Sequence, residues 1–148
     1  QNIAHFGFSL LILSILFNSL FSSEIITNLK VGETFEDLNT KIILKSIEQK
    51  EEKNFKSIIA NFNIENSKGI IENLSPELRI YNQPNIVTSE ADIKTTMMSD
   101  KFIVINVVQN QDYFNVRYQV KPFMLWIWLS VLLISFGGLL SLFKKNYE

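Results

Sequence analysis

Two membrane-crossing helices flanking a small antiparallel β-barrel or sandwich is the membrane α plus β fold that this 148-residue chain predicts. Three observations carry it. Uncharged apolar runs stand near both ends, from Ile3 to Phe21 and from Pro122 to Phe143. About a hundred mostly polar residues lie between them, and the clearest stretches of that middle alternate apolar and polar side chains with the period of two that a half-buried strand requires.

The runs are long enough to span. At ~1.5 Å rise per residue they reach roughly 28 and 33 Å, against a hydrocarbon core of ~30 Å. The second run carries thirteen Leu, Ile, Val or Phe residues, which near a bilayer centre sum to roughly −4 to −8 kcal/mol before Ser and Gly subtract. The first run carries twelve, with His5 and Asn18 as its costly members. Two buried helices of a soluble domain fit less well, because soluble cores seldom use spans of this length without charge. A cleaved leader is disfavoured too: no basic residue precedes the first run, and Leu20 and Phe21 spoil a small-x-small site before Ser22 or Ser23.

The expected organisation is a transmembrane helix over 1–21, an outer β domain over 22–121, a second helix over 122–143 and a short tail over 144–148. Because the chain opens on Gln1 without a Met, it reads as a piece of a longer protein whose first helix is cut at its start. Lys144 and Lys145 directly follow the second run, so the positive-inside rule predicts cytoplasmic termini and a periplasmic middle, in a bacterial inner membrane or its equivalent. That middle carries fourteen acidic and twelve basic residues, a balance that argues against nucleic acid or an anionic lipid surface as a partner. The chain has no cysteine, which excludes thiol–disulfide exchange and leaves the outer domain to packing alone.

Within the middle, Ile58, Ala60, Phe62 and Ile64 fall on one face of a predicted strand, as do Phe114, Val116, Tyr118 and Val120. Ile42 to Ile47 and Phe102 to Val108 are denser β-branched runs expected to be buried strands. Asn110-Gln111-Asp112 suits a hairpin turn between the last two strands, and turns are also expected at Val31-Gly32-Glu33, Asn66-Ser67-Lys68-Gly69 and Gln83-Pro84-Asn85. Six or seven strands result. Two segments are expected to depart from β structure: Glu48 to Lys53 as a solvated loop, and Ser89 to Met98 as a short helix or ordered loop, since Ile93 and Met97 stand four apart.

The last strand runs into the second span. Lys121 marks the water side, Pro122 suits a first helical position, and Trp126 and Trp128 sit where an aromatic belt belongs. These residues read as membrane-interface anchors or, less simply, as a surface for a flat ligand. Ser14, Asn18, Gly137, Gly138 and Ser141 read as helix-packing devices, with Gly137 and Ser141 forming a small-x-x-x-small face.

His5, the single histidine, carries the chemical interest. An imidazole inside a span is costly unless it has a partner or a metal, and haem iron is one such partner. Ala4 and Gly7 beside it leave room for a porphyrin plane. A neutral His bonded to another helix or to headgroup water is the plain alternative. No catalytic constellation is present: there is one His, no Cys, no Gly-rich phosphate loop and no acidic pair with metal-ligand spacing.

Taken in order, Ala4-His5-Phe6-Gly7, Thr88-Ser89-Glu90-Ala91-Asp92-Ile93, Lys121-Pro122-Phe123-Met124-Leu125-Trp126-Ile127-Trp128 and Gly137-Gly138-Leu139-Leu140 resemble the C-terminal portion of the CcmF family, the haem lyase subunit of bacterial cytochrome c maturation. The Lys-Pro-Phe-x-x-Trp-Ile-Trp block is the most specific of these. The resemblance implies a fragment of a many-helix inner-membrane protein that helps attach haem covalently to apocytochrome c. Expected partners are the remaining helices of the same protein, a haem chaperone, apocytochrome-handling subunits, apocytochrome c itself and membrane lipid. It also implies a haem b held between two transmembrane histidines, with His5 matching one axial ligand of the iron and the other lying outside this chain. The family's tryptophan-rich haem-handling segment is absent here, so the fragment alone is not expected to be an active lyase. A competing reading is a two-span anchor that presents a β domain as a docking platform with no cofactor.

Overall fold

The computed structural model describes residues 2–108 and 112–145. They fall into two compact units, one made of Gln1–Ser23, Thr95–Lys101 and Val120–Glu148, the other of Glu24–Lys94 and Phe102–Gln119. Two apolar helices flank a β-sandwich of antiparallel strands, the predicted fold class.

The first unit is built on α1 (Asn2–Phe21) and α2 (Met124–Lys145), each long and apolar enough to cross a membrane. The helices pack antiparallel: Gly7 lies against Leu133 and Ile134, Gly137 against Ala4, and Asn18 reaches Pro122. The chain therefore leaves α1 and re-enters α2 at the same end of the pair. The helix α2 opens at Met124 rather than at Pro122, because Phe123 takes a left-handed conformation (φ 60) that ends the strand before it. The carbonyl of Phe123 accepts from the amides of Trp126 and Ile127, so the helix starts on Phe123 and not on the proline.

Ten strands lie among the described residues, more than the six or seven expected. A four-stranded sheet runs in the order β1 (Ser23–Leu29), β10 (Phe114–Pro122), β9 (Ser99–Val107), β8 (Asp92–Thr95). The second sheet is six-stranded, in the order β2 (Thr34–Asp37), β3 (Thr40–Glu51), β4 (Phe55–Asn66), β6 (Glu77–Asn82), β7 (Asn85–Glu90). Strand β5 (Ile71–Leu74) also pairs with β4.

The core of the second unit follows from the alternation. Ala60, Phe62 and Ile64 of β4 are buried, as the period-two pattern requires, together with Ile42 and Leu44 of β3, Leu74 and Leu78. The other sheet contributes Leu29, Ile103, Ile105, Val116 and Tyr118. Two inward faces meeting in this way form the core of a sandwich. The ladder between β3 and β4 slips by one residue between Leu44 and Ser46, a bulge that leaves Lys45 exposed.

Two local expectations are corrected. Of Glu48 to Lys53 only Glu52 and Lys53 lie in an exposed loop: β3 continues to Glu51, with Gln49 opposite Ile58, Lys50 opposite Ser57 and Glu51 opposite Lys56. The side chains are polar because this end of the hairpin is exposed, and Lys56 pairs with Glu51 at 3.3 Å. Ser89 to Met98 is no helix; it holds the end of β7, all of β8 and the turn into β9. Here the run of β-branched residues and the pairing of Leu78 with Ser89 outweigh one apolar i, i+4 pair. Turns do form around Gly32 and Gly69, both with positive φ, and at Gln83-Pro84. The expected Asn110-Gln111-Asp112 turn lies outside the described residues apart from Asp112.

Candidate functional site

The helix pair is the place to look for a cofactor site, because it carries the one histidine. Residues of α1 that turn inward recur at Ala4, Gly7, Leu11, Ser14 and Asn18, alternating spacings of three and four. From Phe123, just before α2, the same rhythm continues along the helix at Trp126, Ser130, Leu133 and Gly137. This is a heptad seam in which small residues let two backbones approach. A Cβ added to Gly137 would stand 2.6 Å from the Ala4 amide nitrogen, and one added to Gly7 would stand 3.0 Å from the Ile134 nitrogen. Ser14 and Ser130 are buried in the seam, and each spends its hydroxyl on the carbonyl one turn back, to Leu10 at 2.7 Å and to Trp126 at 2.6 Å. No polar group of theirs is left facing the partner helix.

Only part of the expected packing set stands in this seam. Gly137 and Asn18 are in it; Gly138 has open space on its Cβ side and Ser141 is exposed, one turn past Gly137. Ser14, also expected to pack, is in the seam, and Gly7 and Ser130 occupy it without having been singled out for packing. Their signal was present in the sequence as the three–four rhythm of small residues.

His5 lies on the opposite side. At ~100° per residue its direction is roughly 150° from the middle of the seam. It shares an exposed face with Ser9, Ile12 and Leu16. The expectation that Ala4 and Gly7 would admit a porphyrin is therefore corrected, because α2 already fills the space over both. The small neighbour on the correct face is Ser9, whose hydroxyl donates to the His5 carbonyl at 3.1 Å and so does not compete for the ring. The donor set fits haem as a single axial ligand: one imidazole on an otherwise apolar helix face, with a small residue one turn away. Among the described residues no cluster of His, Cys, Asp or Glu is arranged to hold a metal ion.

At the other end of the pair the strand-to-helix junction is tightly bonded. The Asn18 side-chain amide donates to the Pro122 carbonyl at 2.6 Å, tying α1 to the start of α2. The Trp126 indole N–H donates to the Met97 carbonyl at 2.9 Å, and the Phe123 amide donates to the Met98 carbonyl at 2.8 Å. Trp126 thus gives its polar handle to the protein, whereas Trp128 is mostly exposed and Lys121 is half-buried. An apolar cleft of about 170 Å³ lined by Leu10, Leu13, Ser14, Phe17, Phe123 and Trp126 opens beside this junction. His5 is nine residues from Ser14, ~14 Å along the axis, so it does not belong to that cleft.

The sandwich unit carries polar networks of a structural kind. Glu77 accepts from Arg79 Nε at 3.0 Å, from Arg79 Nη2 at 3.1 Å and from Ser57 Oγ at 2.5 Å. These bonds, Arg79 first, hold the Glu77 carboxyl below the usual range and raise the Arg79 guanidinium in turn. Arg79 also stands 5.2 Å over the Phe55 ring. Glu24 takes hydrogen bonds from Arg117 and from Gln119. Burial, with Glu72 nearby, pushes the Tyr118 phenol up to about 12. None of these groups pairs a base with a nucleophile.

Comparison with known proteins places the fold. Residues 20–122 match the family described as the CcmF C-terminal beta-sandwich. The chain is 37% identical over 119 residues to the cytochrome c-type biogenesis protein ccl1 of Rhodobacter capsulatus, covering 80% of this chain and 18% of that protein. It is 30% identical over 148 residues to the cytochrome c-type biogenesis protein CcmF of Pseudomonas fluorescens, covering 100% of this chain and 22% of that protein. A solved structure, cytochrome c heme lyase CcmF, shares the fold with a TM-score of 0.71 at 17% identity, over 93% of this chain and 23% of that one. This chain spans about a fifth of the length of these relatives.

Proposed function

We propose a function from one premise: this chain belongs to the family of the CcmF C-terminal β-sandwich and corresponds to the C-terminal part of CcmF. It acts as part of a longer cytochrome c-type biogenesis protein of the inner membrane, a haem lyase that helps attach haem to apocytochrome c. Its own contribution is two membrane helices, a β-sandwich on the periplasmic side and one axial ligand, His5, to a haem b shared with a second histidine elsewhere in the protein. When bound, such a haem supplies one-electron redox chemistry.

What this chain's residues do is position and expose the imidazole. The seam of Ala4, Gly7, Ser14, Ser130 and Gly137 fixes α1 against α2, so that the face bearing His5 has one direction only. The observation that carries the reading is that this ring stands on an apolar face which α2 leaves uncovered, with Ser9 beside it. An ionisable group inside a span defaults to a functional role, and a ligand from a further helix is the partner such a face would meet. Lys144 and Lys145 at the end of α2 support cytoplasmic termini and hence a periplasmic sandwich. The haem chaperone, the apocytochrome-handling subunits and apocytochrome c are the partners this reading implies.

The test is His5→Ala in the complete protein, followed by absorption spectroscopy of the reduced, purified form. Loss or shift of the b-type haem bands with normal membrane insertion is expected, since Ala in place of His favours a span. A full-occupancy, unchanged low-spin spectrum would return His5 to a packing role and favour the docking-platform reading.

A further inference from the structure

The turn between β8 and β9 is chemically odd for an exposed tip. Its four residues are Thr96-Met97-Met98-Ser99, closed by the Thr96 amide and hydroxyl on the Ser99 carbonyl at 3.0 and 2.8 Å, and by the Ser99 amide on Thr96 Oγ1 at 3.1 Å. Central turn positions usually hold Gly, Asn, Asp, Ser or Pro. Here they hold two methionines, 67% and 64% exposed.

The carbonyls of both methionines are already bonded, Met97 to the Trp126 indole and Met98 to the Phe123 amide. Each donor belongs to the strand-to-helix junction or the first turn of α2, and this segment and both helices form one compact unit. The tip is therefore fixed at the level where α2 begins, with its central carbonyls satisfied and its thioether side chains turned outward. Bonded carbonyls lower the cost of moving the turn from water into the interfacial layer.

We propose that Met97 and Met98 form a wedge that inserts into the interfacial layer of the bilayer, a third point of membrane contact beside the two spans. This rests on the reading of α1 and α2 as membrane-spanning. The bilayer is the occupant favoured by the hydrogen bonds that tie the tip to the start of α2, which fix its depth.

The experiment uses the complete protein in phosphatidylcholine–phosphatidylglycerol nanodiscs, with an environment-sensitive dye on a single cysteine introduced as Met98→Cys or, separately, Met97→Cys. Reference positions are Leu132→Cys, on the exposed side of α2, and Leu38→Cys, at the exposed β2–β3 turn. The wedge predicts blue-shifted emission, loss of fluorescence with lipids carrying a nitroxide near the headgroup, and weak loss with iodide, at both methionine positions. Quenching by iodide as strong as at Leu38, or protection from lipid nitroxide and iodide alike, would overturn it, the first showing water over the tip and the second another protein segment. If the Leu132 label escapes lipids bearing a deep nitroxide and is quenched by iodide as strongly as at Leu38, the spanning reading itself fails and the wedge with it.

Discussion

At Gly137 one added carbon would meet the Ala4 backbone nitrogen at 2.6 Å and its Cβ at 2.9 Å, whereas at Gly138 it would meet nothing within 4 Å. Backbone does not yield as a flexible side chain does, so Gly137→Ala is expected to push the helices apart at a cost of about 1–3 kcal/mol. The complete protein in detergent should show this as a lower melting temperature, with Gly138→Ala neutral or slightly stabilising through helix propensity. Equal effects at the two glycines would contradict the seam. In the sandwich, Glu77 offers a pH handle. Its carboxyl is held low by Arg79 and Ser57, so its stabilisation is present above the ordinary glutamate value of 4.5 and is lost as pH falls through its lower folded value. Glu77→Gln should cost about 1–2 kcal/mol near neutral pH and flatten the decline of stability below pH ~4.5, as read by thermal melts across that range. Residue types alone singled out His5 but misjudged its neighbours: Ala4 and Gly7 are near it in sequence, yet helix geometry turns them toward α2 and leaves Ser9 beside the ring.

The two apolar runs and the four strongest strands were legible because each declares a period: unbroken hydrophobicity for the spans, alternation for β4 and β10, dense β-branched runs for β3 and β9. Short strands declare much less. Strands β2, β7 and β8 bury no side chain and β5 only Leu74, so pairing with neighbours decides the structure and no local pattern announces it. The charged end of β3 was masked for the same reason, since a hairpin arm in water is free to be polar. Pro122 misled in a different way: the left-handed Phe123 that separates strand from helix is a tertiary choice, supported by its amide bond to Met98. From this inventory the segment 22–121, cut free of both helices, is expected to give a circular dichroism spectrum dominated by β structure and to be marginally stable, since a domain of this size buries only about 60–70% of its unfolded surface and this one has no disulfide. A helix-dominated spectrum would contradict the architecture.

At the scale of the whole molecule, the chain is about a fifth of the proteins it resembles, and one side of its helix pair is finished while the other is open. The seam between α1 and α2 is close-packed by small residues; the face with His5, Ser9, Ile12 and Leu16 has no partner among the described residues. That asymmetry is what joins fold to function in this account. In the proposed function the spans hold position and the imidazole is offered to a haem held jointly with another helix. The most direct measurement is a redox titration of His5→Met in the complete protein. If His5 ligates the haem iron, exchanging imidazole for thioether keeps a ligand in place but raises the midpoint potential, as Met/His ligation does relative to two histidines, and changes the low-spin spectrum. A variant that retains full haem with the wild-type potential and spectrum would show that the iron is held elsewhere.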